Sequence, residues 1–358
     1  MYPVLEVYPE RIKNNAEIIS NLCHNKGITV AAVVKGCNSI PEVVKSMVEG
    51  GVDYIADSRI KRFEKLRSIV PDTSLMLLRL AGPGEIKEVV KFADISLNSE
   101  MKVIKMLNKE AKNQNKSHKV ILMVELGDLR EGIYPAEKVI DYAYKAEKMS
   151  NIELEGLGVN LSCYGGIVPD ENNLGKLANL SKKISSNLGR KLKIVSGGAT
   201  TSLPLLLDQK IPLEINNLRI GEAILIGRDL KDIWGYDIPS IRQDTFILKA
   251  EIIEVKRKVS QPFGKISVDA FGHKPSFSDR GLRKRAIVAV GKADFVYPKQ
   301  LIPQMEGIEI LGASSDHLIL DIEEAKEDIN VGTILSFELF YGPLLHLTTS
   351  SLVEKVIY

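Results

Sequence analysis

Sulfur, tryptophan and surplus charge are all scarce in this chain. Its 358 residues include three cysteines, Cys23, Cys37 and Cys163, an odd number at wide spacings. That excludes a disulfide framework and a zinc-ligand pair, and a reducing cytoplasm is the expected setting. There is one tryptophan, and aromatic residues make up 6% of the sequence. Basic side chains number 48 against 46 acidic ones, so there is no excess of either sign to attract nucleic acid or an anionic membrane. No run approaches the roughly 18 apolar residues of a membrane span. The opening Met1-Tyr-Pro-Val-Leu-Glu-Val lacks the basic region and apolar core of a signal peptide, so no targeting leader is expected. Internal repeats, low-complexity tracts and linkers rich in Gly, Ser or Pro are also missing.

What is present begins with Val30-Ala-Ala-Val-Val-Lys35-Gly36. Five small or β-branched apolar residues in a row read as a strand buried on both faces. A lysine where that strand runs out has two readings. Its stem can snorkel out to solvent, or its amine can be put to use, as lysines that form Schiff bases with carbonyl cofactors are.

The surrounding pattern is strand, helix, strand, helix. Helices are expected over 11–25, 41–49, 59–69, 84–92, 100–114, 135–149, 172–187 and around 202–208. Strands are expected over 29–35, 53–57, 74–79, 94–98, 119–126, 153–161, 192–196 and 214–220. Eight such alternations within about 230 residues predict a (β/α)8 barrel of the TIM type. The expected strand ends carry Lys35, Asp57-Ser-Arg59, Arg79, Asn98-Ser99, Glu125 to Arg130, Asn160, Ser196 to Thr200, and Arg219. Barrel enzymes assemble their chemistry at that face, so polar groups at every end argue for one ring-shaped site. After Arg228 the pattern changes to apolar–polar alternation over 246–256, 265–271, 286–290, 308–313, 317–322 and 333–340, with no convincing amphipathic helix. The expected division is a barrel over 1–238, a hinge around 233–239, and a mainly-β domain over 239–358.

Three features of the barrel carry chemistry. Ser196-Gly-Gly-Ala-Thr200-Thr201-Ser follows the seventh strand. Its glycines let backbone N–H groups approach an anion, and the next helix start adds its positive dipole end, a phosphate cradle or simply a helix cap. Arg219, on the eighth strand, either pairs with Glu214 or Glu222 or points at a cofactor ring nitrogen. Arg130 lies in Gly127-Asp-Leu-Arg-Glu-Gly132 and is ambiguous between a loop ion pair and a contact to a phenolate or carboxylate. A lysine on strand one, a phosphate loop after strand seven and an arginine on strand eight together suit pyridoxal 5′-phosphate.

The chain resembles the alanine racemase group of pyridoxal phosphate enzymes, especially its ornithine racemase branch. The resemblance spans nearly the whole sequence. Its segments are Ala56-Asp-Ser-Arg59, Gly127-Asp-Leu-Arg-Glu-Gly132, Cys163-Tyr-Gly-Gly166 and Asn216-Asn-Leu-Arg-Ile-Gly-Glu-Ala223. They continue with Val268-Asp-Ala-Phe-Gly-His-Lys-Pro275, Asp279-Arg-Gly-Leu-Arg-Lys-Arg285 and Leu311-Gly-Ala-Ser-Ser-Asp-His317. The resemblance implies fold type III of these enzymes, a barrel followed by a β domain, and a homodimer whose site is completed by the other subunit's C-terminal domain. It implies Lys35 as the Schiff-base lysine, Arg219 at the pyridine nitrogen and Arg130 near the phenolic oxygen. Thr200, Gly221 and Tyr341 would hold the phosphate, with Ser196 and Thr201 added from the reading of the glycine-rich loop, and Asn160 stands where the family often has a histidine near the ring. Ser39 stands where alanine racemases have a phosphate-binding tyrosine.

Inverting Cα needs a proton removed on one face and delivered on the other, so a second acid/base must oppose Lys35. The family's Gly-Tyr-Ala-Asp motif reads Gly291-Lys-Ala-Asp294 here. Lys292 with a lowered pKa is the expected second base, with His273, Asp269 and Tyr297 as alternatives. The expected reaction is racemisation of a basic amino acid, ornithine first, with Asp269, Ser315 and Asp316 as candidates to meet its side chain. Lysine, alanine or broad specificity are the alternatives within the reaction class. A non-catalytic pyridoxal phosphate carrier is disfavoured by the 120-residue β region. A metal-assisted aldolase or dehydratase of D-amino acids is disfavoured because no cysteine follows Cys163 and His273, His317 and His346 have no metal-motif spacing, so no metal site is expected.

Overall fold

Strand β1 (Val4–Val7) and the helix Pro9–His24 lead into the barrel in a computed structural model that describes residues 1–358. Eight strands then close on themselves: β2 (Thr29–Val33), β3 (Tyr54–Asp57), β4 (Ser74–Leu77), β5 (Ile95–Asn98), β6 (His118–Val124), β7 (Ile152–Val159), β8 (Ile194–Ser196) and β9 (Asn217–Ile220). All neighbouring pairs are parallel, and β2 pairs with both β3 and β9 to complete the ring. The expected (β/α)8 barrel is therefore present.

Side chains at alternate positions fill the interior. Ala31 and Val33, Ala56, Met76, Ile95 and Leu97, Ile121 and Met123, and Ile194 form one buried cluster. This is the layered packing that makes such a barrel a core and leaves the strand ends to carry chemistry. Strand β7 comes so close to β8 that a Cβ on Gly156 would lie 1.7 Å from the carbonyl oxygen of Ile194. The outer helices follow local signals. Pro41–Glu49 has proline at its first turn and ends at Gly50. Glu171–Leu188 starts on Asp170, whose side chain accepts the Asn173 backbone N–H at 2.6 Å, and ends at left-handed Gly189.

The remaining strands are β10 (Phe246–Val259), β11 (Leu282–Val288), β12 (Leu301–Pro303), β13 (Glu309–Ala313), β14 (Leu318–Asp321), β15 (Ile334–Leu339) and β16 (Glu354–Ile357). They form a sheet in the order β12–β15–β10–β11–β14–β13, with β1 joined to both β10 and β16. The two compact units are residues 10–242, and residues 1–9 together with 243–358. Residues 1–9 thus group with the sheet, because β1 exchanges ladder hydrogen bonds with β10 and β16. At the other edge, Asn15 holds the backbone of Arg242 to the barrel unit through bonds of 2.7 and 2.8 Å.

Two expectations for the second unit are corrected. Residues 265–271 form no strand: the chain between Val259 and Leu282 is irregular. Its alternating apolar residues find no neighbouring strand, and Ile266 and Val268 stay exposed. A helix, Tyr341–Thr349, was also not anticipated. It buries Pro343, Leu344, Leu347 and Thr348 and has too few polar positions to show a helical stripe.

Candidate active site

Lys35 leaves the barrel wall in a single tight turn, Val34–Cys37, directly after β2. Its side chain is half-buried and makes no hydrogen bond or ion pair. Neighbouring Cys37 is fully buried, and burial pushes its thiol up to about 12, which makes it a packing residue.

At the same barrel end, on the adjacent strand β9, Arg219 is 4% exposed and has no carboxylate partner. Both residues weighed as its partner are engaged elsewhere. Glu214 pairs with Lys182 at 2.7 Å, and Glu222 accepts the backbone N–H groups of Arg228 and Asp229 at 2.7 and 2.9 Å. The guanidinium instead donates to neutral oxygens: Ser196 Oγ at 2.5 Å, the Val159 carbonyl at 2.7 Å and Asn160 Oδ1 at 3.5 Å. Ser196 Oγ in turn donates to Asn217 Oδ1 at 2.6 Å, and Asn217 Nδ2 reaches Thr29 Oγ1 at 3.1 Å. This chain links β7, β8, β9 and β2 and locks the guanidinium in place. Burial lowers the group to about 10, so it remains a cation at neutral pH.

The glycine-rich turn after β8 leads through a short turn, Thr200–Ser202, into the helix Leu203–Leu207. Thr200 Oγ1 accepts the Ala223 N–H at 3.3 Å and so draws this turn towards the segment after Gly221. Thr201 Oγ1 is buried with no partner, as is Asn160 Nδ2. Buried polar atoms are rarely left without a partner, so these two donors are available to a bound group or to water. Lys35, Asn160, Ser196, Thr200, Thr201, Arg219 and Gly221 therefore all lie on or just beyond the C-terminal ends of barrel strands.

Arg130 is engaged locally. Its guanidinium grips Glu131, with Nη2 donating to Oε1 at 2.5 Å. The loop itself is pinned by Asp128, which is fully buried and accepts the backbone N–H groups of Tyr164 and Gly165 at 3.1 Å each. One carboxylate thus fastens the loop after β6 to the loop after β7. Asp128 was not among the anticipated site residues, although its place between Gly127 and Arg130 in a recognisable segment was a signal.

The other candidates lie in the sheet unit, where Tyr341 opens the helix Tyr341–Thr349. Lys292 opens a short helix, and its Nζ sits 3.8 Å from the centre of the Phe271 ring and 3.9 Å from Asp269 Oδ2. Asp269 Oδ1 accepts the backbone N–H groups of His273 and Phe271 at 2.8 and 2.9 Å. The His273 amide is the largest influence on this carboxyl; burial opposes it, and the Phe271 amide and the charge of Lys292 add to the lowering, so the group is held below its ordinary range. The turn before Lys292 is pressed onto the Ser315–Asp316 turn: a Cβ on Gly291 would lie 2.1 Å from the Ser315 carbonyl oxygen. Lys292 and Ala293 donate their backbone N–H groups to the carbonyls of Ser314 and Ser315 at 2.9 Å each. Ser315 Oγ donates to Asp316 Oδ2 at 2.5 Å. Lys292, Asp269, Ser315 and Asp316 are therefore neighbours within this unit.

A closed barrel with an unpartnered lysine after one strand and a buried, carboxylate-free arginine on the adjacent one suits a barrel enzyme built around a carbonyl cofactor. The model of the family "Alanine racemase, N-terminal domain" matches residues 7–229, and the chain belongs to that family. It is 44% identical over 355 residues to the ornithine racemase of Acetoanaerobium sticklandii, covering 99% of each chain. Against the lysine racemase of Thermotoga maritima it is 37% identical over 356 residues, covering 99% of this chain and 98% of that one. Its fold is that of the alanine racemase of Bartonella henselae, solved with covalently bound pyridoxal phosphate, with a TM-score of 0.74, 14% identity and full coverage of both chains.

The residues present fit pyridoxal phosphate. Lys35 offers a free amine to an aldehyde, Arg219 a fixed cation to a ring nitrogen, and the unpartnered Thr201 hydroxyl and Asn160 amide offer donors to an anionic group.

Proposed function

We propose that this chain is an amino-acid racemase that uses pyridoxal phosphate and acts on ornithine. The observation that carries the reading is the solitary Lys35 amine at the strand end next to a buried Arg219 that faces no carboxylate. When bound, pyridoxal phosphate supplies an electron-withdrawing ring that weakens the Cα–H bond of an attached amino acid. Lys35 holds the cofactor and moves the Cα proton on one face. Arg219, locked by Ser196 and Val159, would offer the ring nitrogen a cation that does not readily give up its proton, which would make the ring a weaker electron sink and favour return of the proton to Cα. Thr200, Thr201 and Gly221 would line the phosphate end, while Ser196, whose hydroxyl proton goes to Asn217, would act by holding Arg219, and the family resemblance alone supports Tyr341 as a phosphate contact. Arg130, oriented by Glu131, would serve the phenolic oxygen, and Asn160 would serve the ring.

Lys292 is the second proton carrier in this reading, held by the Phe271 ring and Asp269. The family resemblance supports a homodimer in which Lys292 of one chain serves the barrel of the other. The three cysteines are free thiols, consistent with a cytoplasmic enzyme. A distal ammonium on the substrate needs an acidic partner. Asp269 is already committed to Lys292 and two backbone amides, which leaves Asp316, with Ser315 on one of its oxygens, as the better candidate.

The test is Cα deuterium uptake by the pyridoxal phosphate-loaded protein in D2O, with L-ornithine, L-lysine, L-arginine and L-alanine in parallel. Exchange with appearance of D-ornithine supports the reading. The same result for lysine or alanine alone moves the substrate, exchange without inversion removes the second base, and no exchange with any of the four overturns racemisation.

A further inference from the structure

The turn that carries Lys35 is tied to the next barrel strand by a hydrogen bond that the proposed chemistry leaves unused. After the Val34–Cys37 turn come Asn38 and Ser39, both in the left-handed region at φ +50° and +53°. Asparagine tolerates that region, whereas serine is held there by its surroundings. Those surroundings are specific. Ser39 is 1% exposed, and its Oγ donates to Asp57 Oδ2 at 2.9 Å. Asp57, the last residue of β3, has no exposed surface. Its oxygens also accept the Arg59 N–H at 2.8 Å and Arg62 Nη1 at 3.1 and 3.2 Å. The Ser39 N–H closes back onto the Val34 carbonyl at 3.2 Å, so the bond to Asp57 fixes the whole turn around Lys35.

We infer that Ser39 and Asp57 are positioning residues that set the angle at which Lys35 meets the cofactor's aldehyde, and that Ser39 does not bind the phosphate. The inference rests on the pyridoxal phosphate reading of the barrel. Its chemical basis is simple. A serine hydroxyl has one proton to donate, and here it is directed at a buried carboxylate, leaving none for a phosphate. The tyrosine found at this position in alanine racemases has been exchanged for a brace.

The test strips the full-length protein of cofactor and titrates it with pyridoxal phosphate and, separately, with pyridoxamine phosphate. The second has the same ring and phosphate but an amine in place of the aldehyde, so Lys35 cannot hold it. Ser39→Ala is expected to raise the dissociation constant for pyridoxal phosphate about tenfold and to leave that for pyridoxamine phosphate unchanged. Asp57→Asn shifts the two ligands in the same unequal way. Ser39→Ala leaves the Asp57–Arg62 pair intact and carries the test should Asp57→Asn fail to fold. Equal weakening of both ligands would make Ser39 a phosphate contact, and no change in either would remove its positioning role; each outcome overturns the inference. Lys35→Ala marks the other failure: if it binds pyridoxal phosphate as the unaltered chain does, the cofactor reading itself falls, and the inference with it.

Discussion

Lys35 and His118 illustrate opposite fates of a titratable group in one barrel. Lys35 touches no partner, so Lys35→Ala removes nothing that holds the fold. The cofactor-free variant is expected to unfold within about 0.5 kcal/mol of the parent in urea, while Cα exchange falls by a thousandfold or more, on the order of what losing a covalent catalyst costs. A parallel loss of stability would mean that the lysine is structural. His118, by contrast, is buried at the start of β6 with Nε2 2.8 Å from Ser96 Oγ. Burial lowers its pKa from 6.5 to about 4. The unfolded chain therefore binds the proton first. Stability is complete above pH 6.5 and is lost as the pH falls from there to about 4, by roughly 3 kcal/mol in all. Urea denaturation at several pH values in this window is expected to show that slope in the parent and a flatter one in His118→Gln.

The elements place these residues through a few tight contacts. Strand β7 packs against β8 at Gly156, where a Cβ would meet backbone 1.7 Å away. Backbone cannot swing aside as a side-chain tip can, so Gly156→Ala is expected to cost about 3 kcal/mol or more. Because β7 leads to Asn160 and β8 to Ser196, that variant is also expected to weaken cofactor binding. Thermal unfolding with and without pyridoxal phosphate measures both effects, and an unchanged melting temperature would show that β7 and β8 can separate freely. In the sheet unit, the Gly291–Lys292 turn and the Ser315–Asp316 turn are pressed together in the same manner, so the candidate proton carrier and the candidate side-chain reader share one rigid corner.

At the scale of the whole molecule, the proposed chemistry divides between the two units: the cofactor lysine in the barrel and the second proton carrier in the sheet. The proposed sharing of one site between two chains makes a quantitative prediction. Lys35→Ala and Lys292→Ala proteins are each expected to be inactive in racemisation. Mixed in equal amounts after reversible dissociation, they are expected to recover about a quarter of the parent activity, because half the dimers are hybrids and each hybrid rebuilds one intact site. No recovery, with hybrids demonstrated by mass, would place both lysines of a working site in one chain or remove Lys292 from the reaction. Near-normal turnover by Lys292→Ala alone would have the second meaning directly.

Much of this architecture was legible in the residues. Alternating apolar runs and helical stripes are local properties, so eight strand–helix units and the lysine at the first strand's end follow from periodicity and from the cost of leaving an ammonium at a buried strand. The functional class followed from segments scattered over the whole chain. Other features depend on partners far away in sequence. Arg219 had two glutamates within a few residues, and only the folded barrel shows both occupied and the guanidinium on Ser196 and Val159 instead. Residues 265–271 alternate like a strand but have no strand beside them, while the helix Tyr341–Thr349 is too apolar to reveal its period. Strands β1 and β12, of four and three residues, exist because the longer β10 and β15 pair with them, and β16 in turn exists because it pairs with β1. Asp57 and Ser39 are 18 positions apart, and nothing local says that one hydroxyl is spent on that carboxylate. Periodicity and residue chemistry thus determined the barrel, its lysine and its cofactor class. Which polar groups are already satisfied, and which are left to meet a ligand, was decided only by tertiary structure, because hydrogen-bond partners are chosen in space.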